Sequence, residues 1–467
     1  PLQICLIILS CASESDAVKT AVTTDSILGA IANLLTTLVC RSDVVQACLA
    51  ILVSITSLQS NCAHPRFATL VPMVVSFVTS STPKICEHAL VTLLNMSALA
   101  QYSTLLCDNI DAVVNCANFH SEVPSVCVAV CKVFFRIALD QQHRKSLDRP
   151  AVVDCLANML HTNKTNAAIT ECAIWVFQSI TVSDATRKAI LKGHVVASVV
   201  SALRTFVSSP RIVQNAVQLL YQFSTNLSLV STLRKNKAER ALVSIVAHRR
   251  AHSDVLSVTI QALSAMFKAQ PCSWDTASRL VPALLEVGTT AGDSSSLKLD
   301  VVTALCVLSL DPTVALLMPQ FRVDHWVINM TMSLLGDRKY ALATATLFAT
   351  LAERNALLEK DVVTRILLCI MNPMETAMFT KDEEANILIW EQCCRTICTL
   401  LKKSPAVIAS STRRAFRALL SLMINHGMHP RLIGLELDSF MSFQKISLFF
   451  SLSLFSFLPQ SCFFTCV

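Results

Sequence analysis

Glycine is scarce in this chain, seven residues in 467, and that scarcity excludes more than any residue present. Folds that cradle phosphates on Gly-rich turns need several glycines close together, because glycine alone enters the left-handed backbone region without steric cost. The sequence holds neither a P-loop nor a Gly-rich dinucleotide turn. Aromatic residues are 6% of the chain, too few for strand-rich domains, which alternate aromatic and β-branched residues between Gly-marked turns. Charged residues are 15%, against about 25% in ordinary soluble domains, so much of each helix needs covering by a neighbour. The H-E-x-x-H and G-x-S-x-G signatures are also missing, as is any C-x-x-C pair matched by a second pair or by spaced histidines. These absences point to an all-α chain that is not an enzyme and carries no cofactor or metal.

What is present is apolar. Hydrophobic residues make up 53% of the chain, and most of its 20 cysteines sit inside apolar runs such as "VQACLAIL" and "SVCVAVCKVFF". Cysteine behaves there as a small core hydrophobe, which suits a reducing, cytoplasmic setting. The sequons "NMS", "NKT", "NLS" and "NMT" are then chance matches. A formal charge of +7 over this length favours acidic partners weakly and gives no reason to expect nucleic acid. "HRRAH" sets His248 and His252 four apart on one helical face, but the arginines beside them disfavour a cation, and a solvated basic corner is the expectation.

The apolar residues repeat. Ala173, Phe177 and Ile180 occupy positions 0, +4 and +7 of one helix face. The same spacing fits Cys5, Leu9, Ala12; Cys48, Leu52, Ile55; Ala89, Leu93, Met96; Val130, Phe134, Ile137; Ala216, Leu220, Phe223; Ala262, Met266, Ala269; Val301, Leu305, Leu308; Ala343, Leu347, Thr350; and Cys393, Ile397, Leu400. Steps between the first members are 43, 41, 41, 43, 43, 46, 39, 42 and 50 residues, the period of helical solenoids. Each trio starts small, which lets helices approach closely, and continues with larger side chains that gain about 1.5–3 kcal/mol when the next repeat buries them. A second apolar helix separates successive trios: "ILGAIANLL", "AVVDCLANML", "VVASVVSALR", "DVVTRILLCIM". A short polar segment precedes it, as in "DATRKAILKG".

This three-part unit resembles the armadillo repeat, most closely over residues 125–225, where "ATRKAILKGHVVASVVSAL" supplies two shorter helices and a corner at Gly193. HEAT repeats are the near alternative. The resemblance implies a right-handed superhelical solenoid of about ten repeats over residues 1–435, the first of them truncated, followed by a Phe/Ser/Leu-rich tail at 436–467. It also implies a concave groove, lined by third helices, that binds extended partner segments. Within this family, cargo-import proteins resemble one another in a ladder of Trp and Asn two and six residues after the first trio position. Here Trp175 fills the first slot and Asn95 the second, on different repeats.

Through the middle repeats those slots hold Lys132 and Arg136, Trp175 and Ser179, Gln218 and Gln222, Ser264 and Lys268. All lie off the 0, +4, +7 face, so polar residues there are expected to be open. Cations, amides and a broad aromatic face suit an extended acidic protein segment. The irregular steps contain "LRKNKAER" with "AHRRAHSD", and "NPMETAMFTKDEEAN"; both are expected to emerge as surface loops, making 234–252 and 372–386 the next candidate sites.

The leading expectation is therefore a protein-interaction scaffold. Two others stand beside it: a tail-anchored membrane adaptor, and a regulatory or cytoskeletal subunit that uses edges and loops. The anchor rests on Ile446–Val467, uncharged over a length that spans a bilayer but broken by Pro459. That segment also reads as translated pyrimidine-rich sequence, or as a buried or disordered tail. The chain begins at Pro1 inside an apolar run, so further repeats or a cap are expected upstream.

Overall fold

The computed structural model describes residues 15–354 except 181–189, 191–193, 249–251, 293 and 334–336, together with residues 366, 392, 393, 395, 396 and 399. Every regular element among the described residues is helical. The chain divides into two compact units, Pro1–Ala241 and Leu242–Val467.

In the first unit the trio-bearing helices are α1 (Ser42–Thr56), α2 (Pro83–Met96), α3 (Pro124–Leu139), α4 (Ala167–Ile180) and α5 (Pro210–Ser224), each packed on the next. A second row runs beside them: Asp25–Thr37, Phe67–Ser76 with its 3-10 extension Phe77–Thr79, Ile110–Phe119, Pro150–Thr162 and Val195–Thr205. Members of this row touch one another in order, and each also packs on the trio helix that follows it. The arrangement is a solenoid-like all-α fold. In the second unit α6 (Ser253–Ala269), α7 (Ser295–Ser309) and α8 (Arg338–Glu353) stack in the same way, with Trp274–Thr290 against α7 and Val323–Ser333 against α8.

Proline, not glycine, punctuates the chain. Pro83, Pro124, Pro150 and Pro210 stand at the first position of their helices, where the missing N–H costs nothing and the fixed φ suits helix entry. Elsewhere side chains cap: Thr24 accepts from the Ile27 amide, and Asp337 from the Lys339 and Tyr340 amides.

The trios of α1 to α5 and of α7 are buried throughout, none more than 2% exposed. The trios at Cys5 and, apart from buried Cys393, at residue 393 lie outside the described residues. Two expectations need correction. Ala269, the last residue of α6, is only half-buried. In α8 Leu347 is buried as expected, but Ala343 and Thr350 stay half-exposed while Thr344, Phe348 and Leu351 are covered, so the buried face is turned by about one residue. That rotation buries the Phe348 ring in place of two small side chains, and apolar area decides.

Three threonine hydroxyls inside the stack bond back to their own helix. Thr56 donates to Leu52 O at 2.7 Å, Thr92 to His88 O at 2.8 Å and Thr259 to Val255 O at 2.6 Å. Each of these hydroxyl protons is thereby bonded within its own helix. Ten of the thirteen described cysteines are buried and none of the thirteen is in a disulfide, as expected of core hydrophobes. Burial pushes the Cys48 thiol up to about 11 and that of Cys155 to about 12.

"LRKNKAER" is not a loop. It ends helix Leu227–Lys235, turns at Lys237, whose φ is +60°, and starts helix Ala238–His248. The Arg234–Glu239 ion pair, 3.3 Å, closes the turn. Residues 372–386, the Gly193 corner and the tail lie outside the described residues. Among the described residues no single helix is long and apolar enough to cross a membrane.

Candidate functional site

The candidate strip is built on α3, α4 and α5. On α3, Lys132 is exposed and Arg136, one turn on, is half-buried with its guanidinium 3.5 Å from Ser97 O of the preceding repeat. On α4, Trp175 leans against Phe135 of α3, ring centroids 4.2 Å apart and planes at 48°. Phe135 lies on the same helix as Lys132 and Arg136, so the α3–α4 contact seats the indole against the helix that carries both cations. Lys132 also acts across the α3–α4 contact, where its charge partly offsets the upward push of burial and Glu171 on the Cys172 thiol.

Ser179 is half-buried and donates to its own helix at Trp175 O, 3.2 Å. It forms the floor of the strip more than a contact point. Gln178, one residue earlier, donates to Asn215 O and joins α4 to α5. Gln218 and Gln222 are half-buried on α5, the next rung.

In the second unit the expectation of open slots fails once. Ser264 is 6% exposed, with its hydroxyl 2.8 Å from Ile260 O, so it is core and not surface. Ala262, Leu263 and Met266 are buried as well, so the covered face of α6 is wide enough to take in its +2 position. Lys268 is exposed. Asn95, in the Asn slot of α2, spends its amide on Val53 O at 3.3 Å and Thr56 Oγ1 at 3.2 Å, which ties α2 to α1.

Sequence reasoning missed the cross-repeat pairs. Arg66 meets Asp25 and Arg149 meets Asp111, pairs 41 and 38 residues apart at matching helix starts. It also missed Asp300 of α7, which accepts from Gln261 Nε2 at 3.1 Å and from Ser257 Oγ of α6. A search for partners one repeat period apart would have found the first two. "HRRAH" is described only in part; His248 Nδ1 lies 2.7 Å from Ser244 O of its own helix. Among the described residues no group of three or more His, Cys, Asp or Glu is placed to hold a metal ion.

No family model matches the chain, and no curated protein matches it. Among solved structures it is similar to the crystal structure of an engineered protein from the Northeast Structural Genomics Consortium. The TM-score is 0.61 at 16% identity, over 89% of this chain and 98% of that one. At that identity the likeness concerns the fold alone.

Proposed function

We propose that the chain is a non-enzymatic, intracellular interaction scaffold, a right-handed superhelix of about ten armadillo-like repeats that binds an extended acidic protein segment across α3, α4 and α5. One observation carries the reading: the exposed Lys132, the Arg136 guanidinium and the Trp175 indole, seated on Phe135, share adjoining helices. Carboxylates would pair with the two cations, Trp175 would supply apolar contact area, and Gln218 and Gln222 would meet peptide groups. Exposed ion pairs add only about 0–1 kcal/mol each, so the indole and the amides must contribute most of the affinity.

The test uses a fluorescent Glu-rich peptide titrated into the full chain and into the combined variant Lys132→Glu, Arg136→Glu, Trp175→Ala, after circular dichroism has shown the variant to be helical. Wild type should bind and weaken with salt, and the variant should lose about tenfold or more in affinity. Equal binding by both would exclude the strip as the site.

A further inference from the structure

The positive charge of the strip is gathered on one rung. Lys132 is exposed and Arg136 half-buried, one turn apart on α3, and that spacing sets their Cβ atoms about 5–6 Å apart on one face. Around the corresponding slots of the neighbouring helices the half-buried residues are uncharged: Val91 and Leu94 on α2, Trp175 on α4 and Gln218 on α5. The acids nearer the helix starts are already engaged. Glu87 of α2 takes the Lys84 ammonium at 2.9 Å and the Ser125 hydroxyl at 2.8 Å, and Glu171 of α4 takes Arg211 of α5 at 3.8 Å. Arg136 commits one terminal nitrogen to Ser97 O at 3.5 Å, and among the described residues no carboxylate pairs with it or with Lys132.

Spacing decides what such a rung can hold. An extended segment advances about 3.2–3.4 Å per residue and packed helices stand about 8–10 Å apart, so a segment lying across the strip meets a new rung at about every third residue. A run of glutamates therefore presents one carboxylate to α3, where two cations wait. A phosphate matches them better. It carries about −1.5 to −2 charge at neutral pH and three acceptor oxygens on a single residue, enough to pair with the Arg136 guanidinium and the Lys132 ammonium together. One rung to either side the segment meets Val91 and Leu94, or the Trp175 indole, and these favour apolar side chains.

We infer that the strip takes a phosphorylated serine or threonine, the phosphate seated between Lys132 and Arg136, with an apolar residue about three positions to each side. The inference rests on the strip being the partner site, and it narrows the partner from an acidic segment to a phosphopeptide. Phosphorylation of the partner then switches the contact on, because the bare hydroxyl offers neither cation a counter-charge. The requirement for apolar neighbours separates this partner from a merely acidic one: the phosphate supplies the charge at one point, and Trp175, Val91 and Leu94 supply the contact area around it.

Three fluorescein-labelled peptides share one Gly/Ala/Ser sequence with a leucine three residues before and after the centre, and differ only there. The centre is phosphoserine, serine, or a pair of adjacent glutamates that matches the phosphate in charge. Fluorescence anisotropy with the full-length chain should show the phosphopeptide binding about tenfold or more tighter than the glutamate pair, and the serine peptide weakest. Arg136→Lys keeps the charge and removes the planar fork, so it should bring the phosphopeptide down towards the glutamate pair and leave the latter nearly unchanged. Circular dichroism first shows that the variant keeps its helical signal. Equal affinity of the phosphopeptide and the glutamate pair for wild type, both lost in the combined variant Lys132→Glu, Arg136→Glu, Trp175→Ala, would overturn the phosphate inference and leave the acidic-segment reading standing. Undiminished binding of both to that combined variant would exclude the strip and the inference with it. If none of the three peptides binds wild type, the inference fails, and the Glu-rich peptide titration decides the strip separately.

Discussion

Gly288 lies directly beneath Trp326. A Cβ at position 288 would fall 2.3 Å from Trp326 Cζ2, and the indole is held there by its Nε1–H donating to Thr289 Oγ1 at 2.9 Å. The glycine sits inside helix Trp274–Thr290, where its backbone freedom is a cost, so close approach is the reason for it. Gly288→Ala should destabilise the chain by about 1–3 kcal/mol in urea unfolding, through overpacking. The same substitution in a Trp326→Leu background should cost markedly less; an equal cost in both would show that the indole is not the obstacle.

Leu220 is wholly buried in the α4–α5 layer. Leu220→Asp should cost about 3–5 kcal/mol, because an uncompensated charge is left in the stack, whereas Leu220→Met should cost under about 1.5 kcal/mol. Similar unfolding midpoints for the two variants would refute a core role for the +4 trio position.

Asp300 gives the α6–α7 layer a pH dependence of known sign. Burial pushes its carboxyl above the ordinary value of 3.8, and the hydrogen bonds from Ser257 and Gln261 oppose this without cancelling it. The folded state therefore holds the Asp300 proton more tightly than the unfolded chain does. Its contribution to stability is present below the ordinary value and is lost as pH rises from there through the raised one. Asp300→Asn should flatten the fall in unfolding free energy over that window, measured between about pH 3 and 7. An unchanged slope would assign the fall to other groups.

The Arg149–Asp111 pair links successive second-row helices at 3.2 Å, but its side chains are 46% and 75% exposed. Solvent screens it. Arg149→Ala should change stability by no more than about 1 kcal/mol, and by less at high salt. A larger, salt-insensitive loss would mean that the arginine stem packs as well as pairs.

Particular residues separate what was legible in the sequence from what was not. Cys48, Leu52, Ile55 and their counterparts through α5 were readable because a helix brings positions 0, +4 and +7 to one face whatever surrounds it. A period near 40 residues likewise tells each face what will cover it. Position 264 was not readable as core, nor was the register of α8. Both depend on how far a helix is rotated against its neighbours, which is set by the side chains it meets, such as Phe348, and not by its own spacing.

The amino-acid sequence by itself determined that this protein is helical, repeats in units of about 40 residues and buries a small-then-large apolar stripe in each, because local periodicity encodes helix faces. Tertiary structure alone decided that Trp175 rests on Phe135, that Gly288 makes room for Trp326, and that the Cys86 thiol meets the His120 ring. Each of those relations joins residues on different helices. Their distances follow from rotation and offset between packed helices, and these are resolved only when every interface in the stack is satisfied at once.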